Sequence, residues 1–217
     1  MKKILIAGCG GFGQEVYSYL VQDIKNGELT DIELVGALDD SENSYNDSGI
    51  QLPFMGSISK YTFDSTMYVV LCVGEVKLRR KLTQTLRNNK AQFYSYIHSS
   101  CHVANNAEIG DGVIICPQSI VNVNTSIATS VVINVFSSIG HGVSIGEGSV
   151  LSPYSAINGD AHVGKFCFLG TRATVYPKVV LSDNCVVDSH SAVKKDALEA
   201  SIISNRTQYV CVPNRFF

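Results

Sequence analysis

Near its start the chain carries two short stretches whose residue types and spacing could do chemistry. Gly8-Cys9-Gly10-Gly11-Phe12-Gly13 reads GxGxxG. Glycines at this spacing let the backbone approach a phosphate, and a helix opening there would add free N–H groups and a dipole that favour an anion. Asp39-Asp40 closes a later apolar run, close to where a dinucleotide-binding protein holds a ribose diol. The five histidines, His98, His102, His141, His162 and His190, supply groups that exchange protons near neutral pH. They form no ligand-spaced cluster with acids or cysteines, so no metal site is expected. Seven cysteines are scattered without a CxxC pair, and their odd number and apolar neighbours argue for reduced, buried thiols in a cytoplasmic protein.

The elements that must position the glycine loop are strands alternating with helices. Lys3-Ile4-Leu5-Ile6-Ala7 reads as a strand buried on both faces. A helix is expected over 11–24, from the spacing of Val16, Tyr17, Leu20, Val21 and Ile24. Further strands are expected over 33–38 and 68–73, and a second helix over 75–87 on Val76, Leu78, Leu82 and Leu86. The basic run Lys77, Arg79, Arg80, Lys81 on that helix reads as one solvated face. Residues 40–64, rich in Ser, Asn, Asp, Gly and Pro, read as a long surface connection. Such alternation implies an α/β, Rossmann-like domain. Taken alone, the glycine loop supports NAD binding. Against that, the domain holds only about three βα units and no second mononucleotide half.

From Ile97 onward the period changes to six. An aliphatic residue recurs at every sixth position, through Val103, Ile109 and Ile115 to Val193, and a small residue stands four places after each, from Cys101 and Ala107 to Ser191. Neither a helix nor a single strand satisfies that pattern, whereas hexapeptide repeats coiling into a parallel β-helix do. The glycines that follow the aliphatics, Gly110, Gly140, Gly146, Gly164 and Gly170, are assigned to corners that need positive φ. The chain thus divides into an α/β domain over 1–92, an all-β parallel β-helix over 93–195 and a tail over 196–217.

Together these motifs resemble the hexapeptide-repeat sugar acyltransferases that include the bacillosamine and perosamine N-acetyltransferases and the sialic acid O-acetyltransferases. The resemblance is carried by the stretch from Ala7 to Gly13, by Leu38-Asp39-Asp40, by Ile139-Gly140-His141 with Ile145-Gly146, and by Val212-Pro213. It implies a left-handed β-helix, a homotrimer with active sites between subunits, and acetyl-CoA as co-substrate with no tightly bound cofactor. His141 would be the general base, although many relatives follow this histidine with Asp or Glu where Gly142 stands here. Asn134 would lie near the sugar's amino group. Gly8, Gly10, Gly11, Phe12 and Gly13 would contact the phosphates and sugar of the acceptor, with Asp39 and Asp40 near its base or ribose. Gly159 would offer the thioester carbonyl a backbone N–H, Gly170 and Thr171 would line pantetheine, and Ser189 stands where relatives usually have Gly. Lys194, Lys195, Arg206 and Arg215 would meet CoA phosphates or solvent.

The expected activity is therefore acetyl-CoA-dependent N-acetylation of a UDP-, dTDP- or GDP-linked amino-deoxy sugar for a surface glycan. O-acetylation of a sialic-type acid, a non-catalytic nucleotide-sugar-binding scaffold and an NAD-dependent oxidoreductase are the alternatives. A formal net charge of −2 with no basic stripe argues against nucleic acid. The start imitates a lipoprotein signal, but its apolar run of about five residues is too short, and no stretch approaches the roughly twenty residues of a membrane span.

Overall fold

The computed structural model describes residues 1–205. Four parallel strands form the first sheet: β1 (Lys2–Ala7), β2 (Ile32–Leu38), β3 (Met67–Leu71) and β4 (Gln92–Phe93), in the order β2-β1-β3-β4. Chain order reverses beside β1, so the crevice past the ends of β1 and β3 is the topological switch point where open α/β sheets take ligands. Helix α1 (Gly11–Lys25) starts directly from the glycine loop. A short helix, α2 (Glu42–Asn46), interrupts the expected surface connection, with Ser41 accepting the Ser44 N–H at its N-terminus. Among the described residues no helix is long and apolar enough to cross a membrane.

Helix α3 (Val76–Asn88) corrects the expected register of its apolar face. Leu78 is 43% exposed, whereas Arg79 is fully buried between Leu82, Thr83 and Leu86 on the inner side. Arg79 is therefore no part of a solvated basic face. Its guanidinium donates to four carbonyls: Ser130 O at 2.7 Å, Leu71 O at 2.6 Å, Val73 O at 3.1 Å and Gly112 O at 3.3 Å. Burial lowers its pKa to about 10, which leaves it charged at neutral pH. A planar fork of donors can serve several acceptors at once. Two of those carbonyls belong to each half of the chain, so one side chain ties the halves together.

Strands β5 (Tyr96–Ile97) through β22 (Ile202–Ile203) stack into three flat parallel sheets of seven, six and five strands. Partners lie 18 residues apart, as in Val132 opposite Val150 and Val150 opposite Phe168, so one coil of the left-handed β-helix consumes three hexapeptides. The second residue of each strand is the periodic aliphatic and points into a continuous axial core that also takes the small residues, such as Ala161, Cys167 and Ala173. On the seven-strand wall the first residue is apolar as well: Ile114, Val132 and Val150 pack under β1, β3 and α1 of the first domain. This is the docking wall. The six-strand wall follows it in each coil and the five-strand wall comes third.

The corners also differ from expectation. Positive φ falls three places after the aliphatic, at Gln118, Phe136, Gly142, Tyr154 and Asp160, and many residue types tolerate it there. The glycines directly after the aliphatic are needed for close approach instead. A Cβ on Gly110, Gly140 or Gly170 would stand 2.6–2.7 Å from a backbone nitrogen of the next coil.

Candidate active site

The glycine loop sits at the switch point. Gly8 turns at φ 99°, and a Cβ there would meet Cys72 O at 2.9 Å, so the turn and the strand behind it both require glycine. A Cβ on Gly13 would fall on Gly8 O, which draws α1 tightly against the loop. Around Gly10 and Gly11, by contrast, nothing beyond the adjoining residues and their own helix backbone lies within 4 Å of the Cβ position. Gly10 caps α1 without any side-chain hydrogen bond, which leaves first-turn N–H groups open to an anion.

Asp39 holds this loop in shape. Its two oxygens accept the Cys9 N–H at 2.7 Å and the Ser41 N–H at 2.8 Å. Asp40 accepts from Ser57 Oγ at 2.5 Å and the Ser59 N–H at 3.1 Å through one oxygen. Partial burial raises the Asp40 carboxyl, but the hydrogen bonds from Ser57, Ser59 and Ile58 outweigh it and hold the group below the usual carboxylate value.

Between the loop and the β-helix lies a cavity of about 340 Å³, lined by Gly11, Phe12, Gly74, Asn134 and Ser152 among others. The two domains thus bring Gly11 and Phe12 together with Asn134, residues over a hundred positions apart. Asn134 Oδ1 accepts the Val135 N–H at 2.7 Å, which fixes its amide at the cavity wall. Glu15 also reaches this cavity. Sequence reading missed it, although its place one turn into the helix after GxGxxG was a signal.

His141 stands elsewhere. It occupies the edge between the six-strand and five-strand walls, whereas Asn134 lies on the edge between the docking wall and the six-strand wall. Gly159 is one coil above the histidine, and a Cβ there would stand 2.6 Å from His141 Cε1 and Nε2. The ring therefore lies over the Gly159 backbone. Among the described residues the Gly159 N–H donates to no protein acceptor. Pro117, Pro153 and Pro177 occupy the matching corner position in other hexapeptides, which confirms that the coil does not use this N–H. Asp160 Oδ1 is 3.7 Å from His141 Nδ1, a carboxylate that sequence reading did not single out.

Gly170, Thr171 and Ser189 stack on the same edge as Asn134, with the His190 N–H donating to Thr171 O at 2.9 Å and Gly170 pressed under Ser189. Along that edge the exposed rings of Phe136 and Tyr154 stack at 5.0 Å, and Arg172 lies over Tyr154 at 4.5 Å. Within one chain the candidate residues thus form two sets: His141 with Gly159 on one edge, and the remaining β-helix residues with the glycine loop on and beside another. Lys194 and Lys195 are exposed, while Arg206, Arg215 and Val212-Pro213 lie outside the described residues. Among the described residues no group of three or more His, Cys, Asp or Glu is placed to hold a metal ion.

Residues 92–203 match the GMPPB C-terminal domain family, and residues 3–86 match the PglD N-terminal domain family. The acetyltransferase domain of PglB from Neisseria gonorrhoeae FA1090 is 19% identical and superposes with a TM-score of 0.80, over 97% of this chain and 100% of that one. PerB from Caulobacter crescentus, solved in complex with CoA and GDP-perosamine, is 22% identical with a TM-score of 0.77, over 94% of this chain and 92% of that one. WeeI from Acinetobacter baumannii AYE is 21% identical with a TM-score of 0.76, over 96% and 99%. At these identities the likeness is one of fold. No curated protein matches the chain.

Proposed function

The chain belongs to the hexapeptide-repeat acyltransferases, matching the GMPPB C-terminal domain family behind a PglD N-terminal domain, and on that premise we propose that it transfers acetyl from acetyl-CoA to the amine of a nucleotide-linked amino-deoxy sugar. The observation that carries this reading is the imidazole of His141 lying against Gly159, a residue whose backbone N–H has no protein acceptor among the described residues. Acetyl transfer needs a proton acceptor for the attacking nitrogen and a donor for the oxyanion, and here the two are neighbours.

The sugar nitrogen attacks the thioester carbonyl as His141 Nε2 takes its proton. The Gly159 N–H holds the oxyanion, and the tetrahedral intermediate collapses by breaking the C–S bond. The departing CoA thiolate takes the proton back from the imidazolium, giving the N-acetyl sugar and free CoA. The open glycine loop suits a nucleotide diphosphate, and Asn134, across the cavity from it, suits the sugar. GDP-perosamine bound to PerB supports an acceptor of this class, and acetyl coenzyme A bound to the PglB domain supports the donor.

The two residue sets face different edges, which supports a homotrimer in which the His141 edge of one chain meets the Asn134 edge of the next. The exposed aromatic pair along the Asn134 edge offers such a neighbour an apolar surface. The protein acts in the cytoplasm on a precursor of a surface glycan.

Free-thiol release from acetyl-CoA across a panel of nucleotide-linked amino sugars tests the reaction. A nucleotide-linked acceptor is expected. Release with a free sialic acid in its place would turn the reading to O-acetylation, and no release with any acceptor would leave a binding scaffold. Light scattering should give three times the chain mass of 23.5 kDa, and a monomer would overturn the shared site.

A further inference from the structure

We infer that Asp160 is the positioning residue that orients the His141 imidazole, supplied from the coil above instead of from the residue after the histidine. The inference rests on the proposed role of His141 and names what holds it. Three features of the edge carry it.

The first is contact. Asp160 Oδ1 lies 3.7 Å from His141 Nδ1, a side-chain rotation short of a hydrogen bond, and the Asp160 N–H donates to His141 O at 2.8 Å. The carboxylate is thus rooted on the backbone of the residue it faces. The second is space. Gly142 and Asp160 are the same corner position in successive coils, at φ 65° and 60°, and a Cβ on Gly142 would collide with Asp160 Oδ1. The carboxylate occupies the room that a side chain after the histidine would need, so this edge has place for one acid, and the upper coil provides it.

The third is direction. Asp160 approaches Nδ1, while Nε2 lies over Gly159. A carboxylate at Nδ1 stabilises the tautomer with hydrogen there and leaves the Nε2 lone pair beside the oxyanion donor. With side chains 65% and 52% exposed, the pair adds little to folding stability. Its effect grows when substrates and a neighbouring chain exclude water from the edge.

Asp160→Gly removes the carboxylate while keeping a residue suited to positive φ. We expect kcat to fall about 10- to 100-fold, by analogy with the span for carboxylates that orient metal-ligating histidines, with both KM values and the Tm unchanged. Gly142→Asp placed in the Asp160→Gly chain should restore most of that loss, because the corner already carries an aspartate one coil up. Nitrogen NMR of histidine-labelled protein reads the orientation without turnover: the His141 signal should report hydrogen at Nδ1 in the native chain and a mixture of tautomers in Asp160→Gly. Unchanged kcat and an unchanged tautomer would overturn the inference, as would a loss of kcat that Gly142→Asp does not restore. A tautomer shift in a protein that acetylates none of the acceptors would leave Asp160 in place and remove the proposed reaction.

Discussion

The two halves of the chain clear space with glycine for opposite purposes. At Gly10 and Gly11 nothing beyond the adjoining residues and their own helix comes within 4 Å of the Cβ position, whereas at Gly110, Gly140 and Gly170 the next coil's backbone fills it. Of the loop glycines, Gly8 and Gly13 are crowded by backbone like the repeat glycines, and Gly10 and Gly11 are the two that leave open room. The repeat glycines keep room for the protein itself. Gly159 is a third kind, since its missing side chain is where the His141 ring lies. What a glycine does is told by what its absent Cβ would meet, and that distinction should separate binding, folding and catalysis experimentally.

The largest effect is expected at the third kind. His141→Ala should lower kcat by about 10² to 10⁴, the span for a removed general base, while the Tm and both KM values stay put because the ring is exposed and outside the core. Near-native turnover in a folded His141→Ala protein would remove the histidine from the mechanism. Next comes a repeat glycine. Gly140→Ala forces a methyl to 2.7 Å from Gly159 N, so the coils must part, and we expect a loss of about 1–3 kcal/mol in denaturant unfolding together with lost activity. Full stability in that variant would erase the contrast between the two halves. The smallest effect sharpens it: Gly11→Leu should leave stability unchanged or raise it by up to about 1 kcal/mol, since leucine favours a helix over glycine. The same side chain enters the cavity beside Asn134, so the acceptor KM should rise about tenfold or more with the acetyl-CoA KM unmoved. A donor effect of similar size would reject the division of labour between the domains.

The β-helix was legible because its rule is local and repeated: an aliphatic every sixth residue from Ile97 becomes an inward side chain on every strand. Even the docking wall is written in the sequence, since only there do most strands pair two large apolar residues, as in Ile114-Ile115 and Val132-Ile133. Arg79 was misread because its partners come from both halves of the chain, as far away as Ser130, and helix spacing cannot reveal a cation solvated by distant carbonyls. The corner glycines were misread because crowding between coils, and not φ, selects them. In the candidate site, Gly11, Phe12 and Asn134 line one cavity although they lie far apart in the chain, and the His141 ring lies against Gly159. Asp160 escaped notice because it was sought next to the histidine along the chain. Glu15 carried a signal in its place one turn into the helix after GxGxxG, but its meeting with the β-helix depends on how the two halves pack, which helix spacing does not encode.

The 18-residue coil has a consequence for ancestry. Residues 18 apart are storeys of one column, so a functional group can pass to the neighbouring storey by two point changes, Asp to Gly below and Gly to Asp above, while the building stands. A comparison that lines chains up residue by residue would find glycine after His141 and pass over the carboxylate that faces the same ring from one coil up.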